Sequence, residues 1–237
     1  MTSSALACPT VSPSPGPQRL VRALAAVAVV GGPLGYLVGG VLEPAAHADG
    51  RATIAANAAA NPATNIAHLT AFMIASFLLP VGVVALAWLA YRGAPWLATI
   101  GGILGVLGWL PFPALTALDD LAVAMARAPR GATYAALWDG FAYDAVMNTY
   151  LIVYILAHLV AYVLLGVALY RARTIPAWAA TAMIASSPVL IAAFVLPGQL
   201  ATAGLAVATA SVGLLILASL PAARALAAPA RAGDHVE

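Results

Sequence analysis

The stretch IAHLTAFMIASFLLPVGVVALAWLAY, residues Ile66–Tyr91, decides the fold class of this chain. It runs for 26 residues without an Asp, Glu, Lys or Arg. A helix of that length measures about 39 Å, at about 1.5 Å per residue. The hydrocarbon core of a bilayer is about 30 Å thick, and about 20 apolar residues cross it as a helix. The stretch therefore predicts a transmembrane helix with enough length to tilt.

Five further stretches have the same character. The chain is 63% hydrophobic and 8% charged, whereas about a quarter of the residues in a soluble globular protein are charged. We therefore predict an all-α fold, a polytopic membrane helix bundle of about six transmembrane helices that takes the lipid bilayer as its first partner. The predicted spans are Leu20–Leu42, Ile66–Tyr91, Trp96–Leu118, Ala145–Tyr170, Pro176–Leu196 and Ala201–Leu220. Prolines inside them predict kinks at Pro33, Pro80, Pro111, Pro113 and Pro188.

The regions outside the spans complete the domain organisation. Residues 1–19 are rich in Ser and Pro and predict a disordered N-terminus, residues 20–221 form the transmembrane domain, and residues 222–237 form a tail. Two longer connections, 43–65 and 119–148, hold most of the polar side chains. The first predicts a loop or short surface helix. The second predicts two short helices, with Thr133 as N-cap of the second and Trp138 on its aromatic face.

The arginines indicate the orientation. All ten basic residues are arginine, and cytoplasmic loops carry the excess of positive charge in membrane proteins. The distribution places both termini in the cytoplasm and predicts a multi-pass protein of the cytoplasmic membrane. Seven arginines lie on the cytoplasmic side: Arg19, Arg22, Arg92, Arg171, Arg173, Arg224 and Arg231. One alternative is a signal peptide cleaved after Ala48, but its apolar run of ~20 residues exceeds the usual ~7–15.

A short phrase occurs twice. The stretch "IAHLTAF" (Ile66–Phe72) resembles "LAHLVAY" (Leu156–Tyr162), and "PWLAT" (Pro95–Thr99) resembles "AWAAT" (Ala177–Thr181). Both units start from the same membrane side. The sequence thus predicts a parallel duplication of a helix pair.

The stretch LLGVALYRARTIPAWAA, residues Leu164–Ala180, combines G-x-A-L-x-R with P-x-W-A-A across a short link. In this respect the chain resembles a loose group of small, uncharacterised bacterial membrane proteins. The resemblance implies a six-helix fold and assigns no catalytic residue.

His158 is the deepest ionisable candidate. It lies 13 residues before Arg171, about 20 Å along the helix and inside the hydrocarbon region. Ionisable residues at that depth are functional hypotheses. Tyr154 and Tyr162 stand four residues on either side of it, and we group these three with Trp109 and Trp138 as predicted ligand-binding residues. The alternative is a structural histidine that satisfies itself with tyrosine hydroxyls or a carbonyl.

No cofactor and no metal is expected. His68 lies at the outer end of its span and is predicted to be a wet interfacial residue. Haem ligation by two histidines needs matching depths, whereas His68 and His158 differ by roughly 10–15 Å in depth. The other candidate ligands, His47, Asp49, Asp119 and Asp120, are scattered along the sequence.

Asp119 and Asp120 are the remaining catalytic candidates. Adjacent residues on a helix point about 100° apart, so the two carboxyls cannot share a proton without bending. One of them, desolvated, could act as an acid on a lipophilic substrate. The alternative is a solvated acidic pair outside the membrane. No other carboxylate is expected inside the membrane, which argues against a proton- or sodium-coupled carrier.

The first span carries Gly31, Gly35 and Gly39 on one face, where another backbone can approach closely. Packing within the chain and a homo- or hetero-oligomer are both open. The small net charge of +2 argues against nucleic-acid binding. We predict a non-catalytic role: small-ligand binding, a transport-accessory function or a partner subunit. The alternative is a membrane-integral enzyme of cyclase or isomerase type, with His158, Asp119 and Asp120 as acid–base groups.

Overall fold

The protein, in a computed structural model, is described over residues 15–44, 49–195 and 201–228. These residues form helices and connecting turns, with no strand in the described ranges. A 3-10 turn, Gly131–Tyr134, lies between α5 and α6. The helices are α1 (Pro15–Leu42), α2 (Gly50–Ala59), α3 (Pro62–Ala90), α4 (Pro95–Trp109), α5 (Phe112–Arg127), α6 (Ala135–Ala142), α7 (Ala145–Ala172), α8 (Ala177–Val195) and α9 (Ala201–Ala227).

Five helical segments of the described chain are long and apolar enough to cross a membrane. They are Gly16–Leu42, Pro62–Ala90, Pro95–Arg127, Ala145–Ala172 and Gly204–Ala227, and a shorter apolar helix covers Ala177–Ala193. Large apolar side chains cover the outside of the bundle, Phe77 and Trp96 among them at 70% and 80% exposure. Such a surface is compatible with contact to lipid. The all-α prediction is confirmed, while six spans and their orientation stay predictions.

Two prolines interrupt a helix that was predicted to be continuous. Pro33, Pro80 and Pro188 lie inside α1, α3 and α8, as predicted. In contrast, α4 ends at Trp109 and α5 begins at Phe112, because Pro111 and Pro113 remove two backbone donors within three residues. The segment Pro95–Arg127 still counts as one apolar span, with the kink predicted at Pro111 and Pro113 seen as a two-residue interruption. The chain continues as a second helix to Arg127.

The helices α1 and α3 pack antiparallel in a fixed register. A Cβ atom added at Gly32 would lie 3.1 Å from Leu79, and one added at Gly39 would collide with the Phe72 ring. The spacing of seven positions from Gly32 to Gly39 thus matches the spacing of seven positions from Leu79 back to Phe72. Gly82, three residues after Leu79 on α3, faces the main chain of Ala28 on α1.

Four of the glycines of the first span, Gly31, Gly32, Gly35 and Gly39, serve this contact, whereas Gly40 has open space around it. Gly31 lies against Leu78, and Gly35 lies against Ala71 and Ala75. Gly39 also lies against α3. The glycine face therefore packs within the chain, which is one of the two alternatives that the sequence left open. An oligomer through Gly31, Gly35 and Gly39 would require α1 to separate from α3, so oligomer formation through them stays an untested prediction.

The two predicted repeat units each form a contacting helix pair. These pairs are α3 with α4 and α7 with α8, and α4 also packs against α7. The α4–α7 contact is close because Gly108 faces the backbone of His158 and Gly101 faces Leu165. The common origin of the two units stays a prediction.

Contacts between chain segments distinguish the two ends of the bundle. At one end, the Arg22 guanidinium donates to the Ala228 carbonyl at 2.7 Å, and Gly93 lies against Ala172. At the other end, the Gly50 backbone N–H donates to the Asp139 carboxylate at 2.7 Å. Most arginines thus gather at the first end and most carboxylates at the second, which we call the outer end.

A small second core covers part of the outer end. Ile54 of α2, Ala122 and Met125 of α5 and Trp138 of α6 pack together. The surface helix predicted within 43–65 is confirmed as α2, with Asp49 as its N-cap. Thr133, however, is not an N-cap.

The local geometry explains that error. Arg130 adopts a left-handed conformation with φ of 62°, and the Thr133 hydroxyl donates back to its carbonyl at 2.9 Å. The residues after Arg130 therefore form a 3-10 turn, and α6 begins at Ala135 without a side-chain cap. Ala145 to Asn148 belong to α7, whose N-cap Asp144 accepts from Met147 N–H at 2.8 Å.

Candidate functional site

Aromatic rings from five helices meet in the outer half of the bundle. Trp109 is fully buried and contacts Tyr36, Phe112 and Tyr154 at centroid distances of 5.5, 5.6 and 5.5 Å. We call the whole group the aromatic centre. It consists of Tyr36, Phe72, Trp109, Phe112, Tyr154, His158 and Tyr162.

Two tyrosine hydroxyls form a direct polar link between side chains inside this centre. The oxygen atoms of Tyr36 on α1 and Tyr154 on α7 lie 2.6 Å apart. Tyrosine can donate or accept, so each hydroxyl satisfies the other. The pair joins α1 to α7 across the bundle core.

His158 is held by its own helix and by the rings around it. Its Nδ1 donates to the Tyr154 carbonyl, and its ring lies 4.8 Å from Trp109 and 4.7 Å from Tyr154. Because a carbonyl can only accept, Nδ1 carries the proton, and in neutral His158 the Nε2 atom is then an acceptor. A hydrogen bond to a carbonyl agrees with the alternative prediction, in which His158 has a structural role. Whether His158 has a further role stays a prediction.

A small cavity of about 20 Å³ adjoins His158. A cavity of that size has room for about one water molecule. The Ser187 hydroxyl donates to the Leu159 carbonyl at 2.8 Å, and Ser211 donates to the Ser186 carbonyl at 2.7 Å. The polar side chains at its wall are Tyr36, His158, Tyr162, Ser186, Ser187 and Ser211.

His68 is buried, contrary to the prediction that it is a wet interfacial residue. Only 1% of its surface is exposed, and its ring contacts Phe72 at 5.6 Å. The prediction failed because α2 and α5 pack near the outer end of α3 and exclude solvent. Both ring nitrogens of His68 lack a hydrogen-bond partner. Buried polar groups without a partner are rare in folded proteins.

Glu43 and Asp119 form a pair at the outer end. Both are partly buried, and their carboxyl groups interact electrostatically. Desolvation raises the pKa of Glu43 from 4.5 to about 7. No ion pair reaches either carboxylate from any residue that the structure describes. We call Glu43 and Asp119 the outer carboxyl pair.

This pair changes the interpretation of Asp119 and Asp120. Asp120 is exposed, as the solvated alternative expects, but Asp119 is partly buried beside Glu43. Neighbouring helical residues point in different directions, so one side chain enters the bundle while the other faces out. Asp119 also lies in the apolar segment Pro95–Arg127. Asp119 is therefore partly withdrawn from solvent, and the expectation that no carboxylate lies at mid-bilayer stays a prediction.

The predicted site residues separate into two groups. Trp109, Tyr154, His158 and Tyr162 come together in the aromatic centre. Trp138 does not join them, because α6 turns its ring into the second core. His47 lies outside the described residues.

Three contributors escaped the sequence analysis: Tyr36, Phe72 and Glu43. Tyr36 lies four residues after Gly32 and three before Gly39, on the helix that the glycines bring against α3. Glu43 follows Gly39 by four residues. Extending the glycine face of α1 by one turn could thus have pointed to Glu43.

Among the described residues, no group of three or more His, Cys, Asp or Glu side chains is arranged to hold a metal ion. No protein family, curated protein or solved structure matches this chain. The site therefore has to be interpreted from its own geometry.

Proposed function

We propose that the protein is a six-span, multi-pass protein of the cytoplasmic membrane, with both termini in the cytoplasm, that binds a small monovalent cation at the outer carboxyl pair. The role is non-catalytic. The arginine distribution supports the orientation, and the five long apolar helices are compatible with the location.

One observation carries the proposal: the partly buried carboxyl groups of Glu43 and Asp119 interact with each other, and no basic side chain of the described residues is paired with them. Two carboxylates at close range repel each other, and burial adds a desolvation penalty to the charged forms. Binding of a proton or another cation reduces the repulsion between the two carboxylates. Because the pKa of Glu43 is about 7, the proton is readily exchanged near neutral pH.

The surroundings favour a small cation over a lipophilic substrate. Aromatic faces attract positive charge, and Glu43 interacts electrostatically with the ring hydroxyls of Tyr36 and Tyr154. The cavity beside His158 measures about 20 Å³, whereas pockets for drug-sized ligands measure about 300–1,000 Å³. An enzyme acting on a lipophilic substrate through His158, Asp119 or Asp120 therefore has less support.

Calorimetric titration of the protein in lipid nanodiscs tests the proposal. Chloride salts of sodium, potassium and methylammonium are titrated at about pH 8. We expect at least one of these cations to bind. Glu43→Gln and Asp119→Asn are each expected to weaken binding by about tenfold or more, the usual scale for removing one partner of a close charge pair.

Asp120→Asn is the matched control, because it changes the neighbouring carboxylate, which is exposed. It should leave the affinity unchanged. If none of the three cations binds the wild-type protein, or if Asp120→Asn weakens binding as much as Asp119→Asn does, the proposed site is wrong.

A further inference from the structure

We propose that the end of the bundle opposite the outer end, which we call the inner end, binds the headgroup phosphate of an anionic glycerophospholipid. Three arginines form the site: Arg92, Arg171 and Arg173. We call them the inner arginine cluster. The inference rests on the membrane location proposed above, and it does not depend on cation binding at the outer carboxyl pair.

A contact between two turns brings the three arginines together. A Cβ atom added at Gly93, in the turn between α3 and α4, would lie 2.5 Å from the Cα atom of Ala172, the last residue of α7. Arg92 precedes Gly93, and the other two arginines stand on either side of Ala172. Because consecutive Cα atoms are about 3.8 Å apart, the Cα atom of Arg92 lies within about 12 Å of those of Arg171 and Arg173. Long side chains at this separation can converge on one ligand.

Among the described residues, the carboxylates lie away from this cluster. Asp144 caps the opposite end of α7, about 40 Å of helix from Arg171. The other described carboxylates belong to the end of the first helix, to the outer connections and to α5: Glu43, Asp49, Asp119, Asp120 and Asp139. All three arginine side chains of the cluster are exposed. Several exposed cations without a nearby counter-charge create a positive potential that attracts an anion.

Exposed aromatic rings surround the cluster on the surface of the bundle. Tyr91 and Trp96 stand within four residues of Arg92, and Tyr170 and Trp178 flank the other two arginines. Each of these four side chains is more than half exposed. Tyr and Trp are enriched where lipid headgroups meet the hydrocarbon region. The surroundings therefore favour a phosphate that carries acyl chains, because a free phosphate ion has no apolar part to contact such rings.

The chemistry of the cluster fits a phosphate diester. A guanidinium is planar and donates two parallel N–H groups to two oxygen atoms of one phosphate, and it stays charged at every pH at which the protein is folded. In the predicted orientation the cluster faces the cytoplasmic leaflet, whose anionic lipids attract basic residues next to the membrane. A zwitterionic lipid carries its own cation beside the phosphate and competes less well.

Quenching of tryptophan fluorescence by brominated lipids tests the inference. Trp88, Trp96 and Trp178 are more than half exposed, whereas Trp109 and Trp138 are buried, at 2% and 7% exposure. Contact with lipid therefore quenches the three exposed rings. The protein is reconstituted in phosphatidylcholine vesicles in which a small, equal fraction of brominated lipid is either phosphatidylglycerol or phosphatidylcholine. We expect phosphatidylglycerol to associate about fivefold or more tightly.

Arg173→Gly is the most informative variant. Arg173 adopts a left-handed conformation with φ of 53°, which glycine adopts without strain and usually supplies after a helix. The variant should therefore unfold at the same temperature as the wild-type protein or at a higher one. Its preference for phosphatidylglycerol should fall about fivefold, the usual contribution of one basic residue near an anionic membrane surface. Arg92→Gln, at an exposed position of the other turn, should lower the preference by a similar factor.

Arg130→Gly is the matched control. It exchanges the same residue in the same left-handed conformation, with φ of 62°, at the outer end, and it should keep the full preference. The inference is overturned if the wild-type protein shows no preference, or if Arg130→Gly loses as much of it as Arg173→Gly does. Inorganic phosphate is added to the same vesicles at constant ionic strength. Loss of the preference at millimolar phosphate would assign the cluster to a free anion and overturn the lipid assignment. None of these outcomes alters the cation titrations at the outer end.

Discussion

The hydroxyl groups of Tyr36 and Tyr154 lie 2.6 Å apart and connect the first helix to the seventh through the middle of the aromatic centre. Both rings also contact Trp109 and Phe112. The link is therefore embedded among apolar rings, where a hydroxyl that lost its partner would have few replacements.

Removing either hydroxyl should destabilise the protein. Tyr36→Phe or Tyr154→Phe leaves the other hydroxyl buried and unpaired, which costs about 1–3 kcal/mol. The double variant removes both groups and should be no less stable than the less stable single variant. Thermal unfolding of the wild-type protein, the two single variants and the double variant in the same detergent measures the coupling energy between the two hydroxyl groups. Strict additivity of the two single effects would contradict the direct link.

Glycine at position 108 should be irreplaceable by alanine. A Cβ atom there would collide with the backbone nitrogen of His158, and a backbone cannot rotate away as a flexible side chain can. We expect Gly108→Ala to lower the free energy of unfolding by about 1–3 kcal/mol. Gly213→Ala is the control, because nothing lies within 4 Å of its added Cβ. It should be neutral or stabilising by up to about 1 kcal/mol. Equal losses of stability in Gly108→Ala and Gly213→Ala would show that α4 does not pack on α7 as described.

Cation binding should depend on pH through Glu43. Its folded pKa of about 7 lies above the ordinary value of 4.5, so a bound proton competes with the cation below neutral pH. The affinity should rise with pH up to about 7 and level off above it, with a limit of tenfold per pH unit for one linked proton. Titrations between about pH 5.5 and pH 8.5 measure this. The titratable groups that interact with Glu43 are Asp119, Tyr36 and Tyr154.

The same pKa determines how stability varies with pH. A carboxyl with a raised folded pKa favours its protonated form, so its stabilising effect is complete below about pH 4.5 and is lost as pH rises through about 7. Without a cation, the wild-type protein should therefore unfold more easily at about pH 8 than at about pH 5.5. Glu43→Gln should flatten this difference, and Asp120→Asn should not. An unchanged pH profile in Glu43→Gln would assign the effect to another group.

The role of His158 can be separated from that of the outer site. His158→Phe keeps a ring against Trp109 and Tyr154 and removes the donor to the Tyr154 carbonyl. We expect a loss of stability of about 0.5–1.5 kcal/mol, the net value of one hydrogen bond, and unchanged cation affinity. A large loss of affinity at unchanged stability would instead make His158 part of the binding site.

The orientation is testable with the single native cysteine. Cys8 lies before the first predicted span and belongs on the cytoplasmic side. A membrane-impermeant thiol reagent should label it only after the cells are permeabilised. In a Cys8→Ser background, Ala136→Cys, at an exposed position of α6, should label in intact cells. The opposite pattern would reverse the orientation.

The sequence predicted the helices well because apolar length and tight Arg-bearing turns are local properties. Each predicted span overlaps a described helix, although several helices extend beyond the predicted bounds, α3 back to Pro62 and α9 on to Ala227. The grouping of Trp109, Tyr154, His158 and Tyr162 also followed from spacing and depth. These features need no knowledge of which helices are neighbours.

The outer site was missed because it depends on contacts between distant segments. His68 looked exposed, since nothing in its own span showed that α2 and α5 would exclude solvent from it. Glu43 looked like a loop residue, because its burial follows from the register of α1 on α3. Trp138 was misplaced for the same reason, since the left-handed Arg130 sets the direction of α6.

The register of α1 on α3 also tells how a relative of this protein could be recognised. Glycines on α1 hold the two backbones so close that neither helix can slide or rotate without collision. Inserting one residue between Gly32 and Gly39, or between Phe72 and Leu79, would turn one of the two contacts about 100° away from its partner. Two matched seven-residue spacings, Gly32 to Gly39 on one helix and Phe72 to Leu79 on the next long helix, should therefore persist together, even where the rest of the apolar sequence has changed.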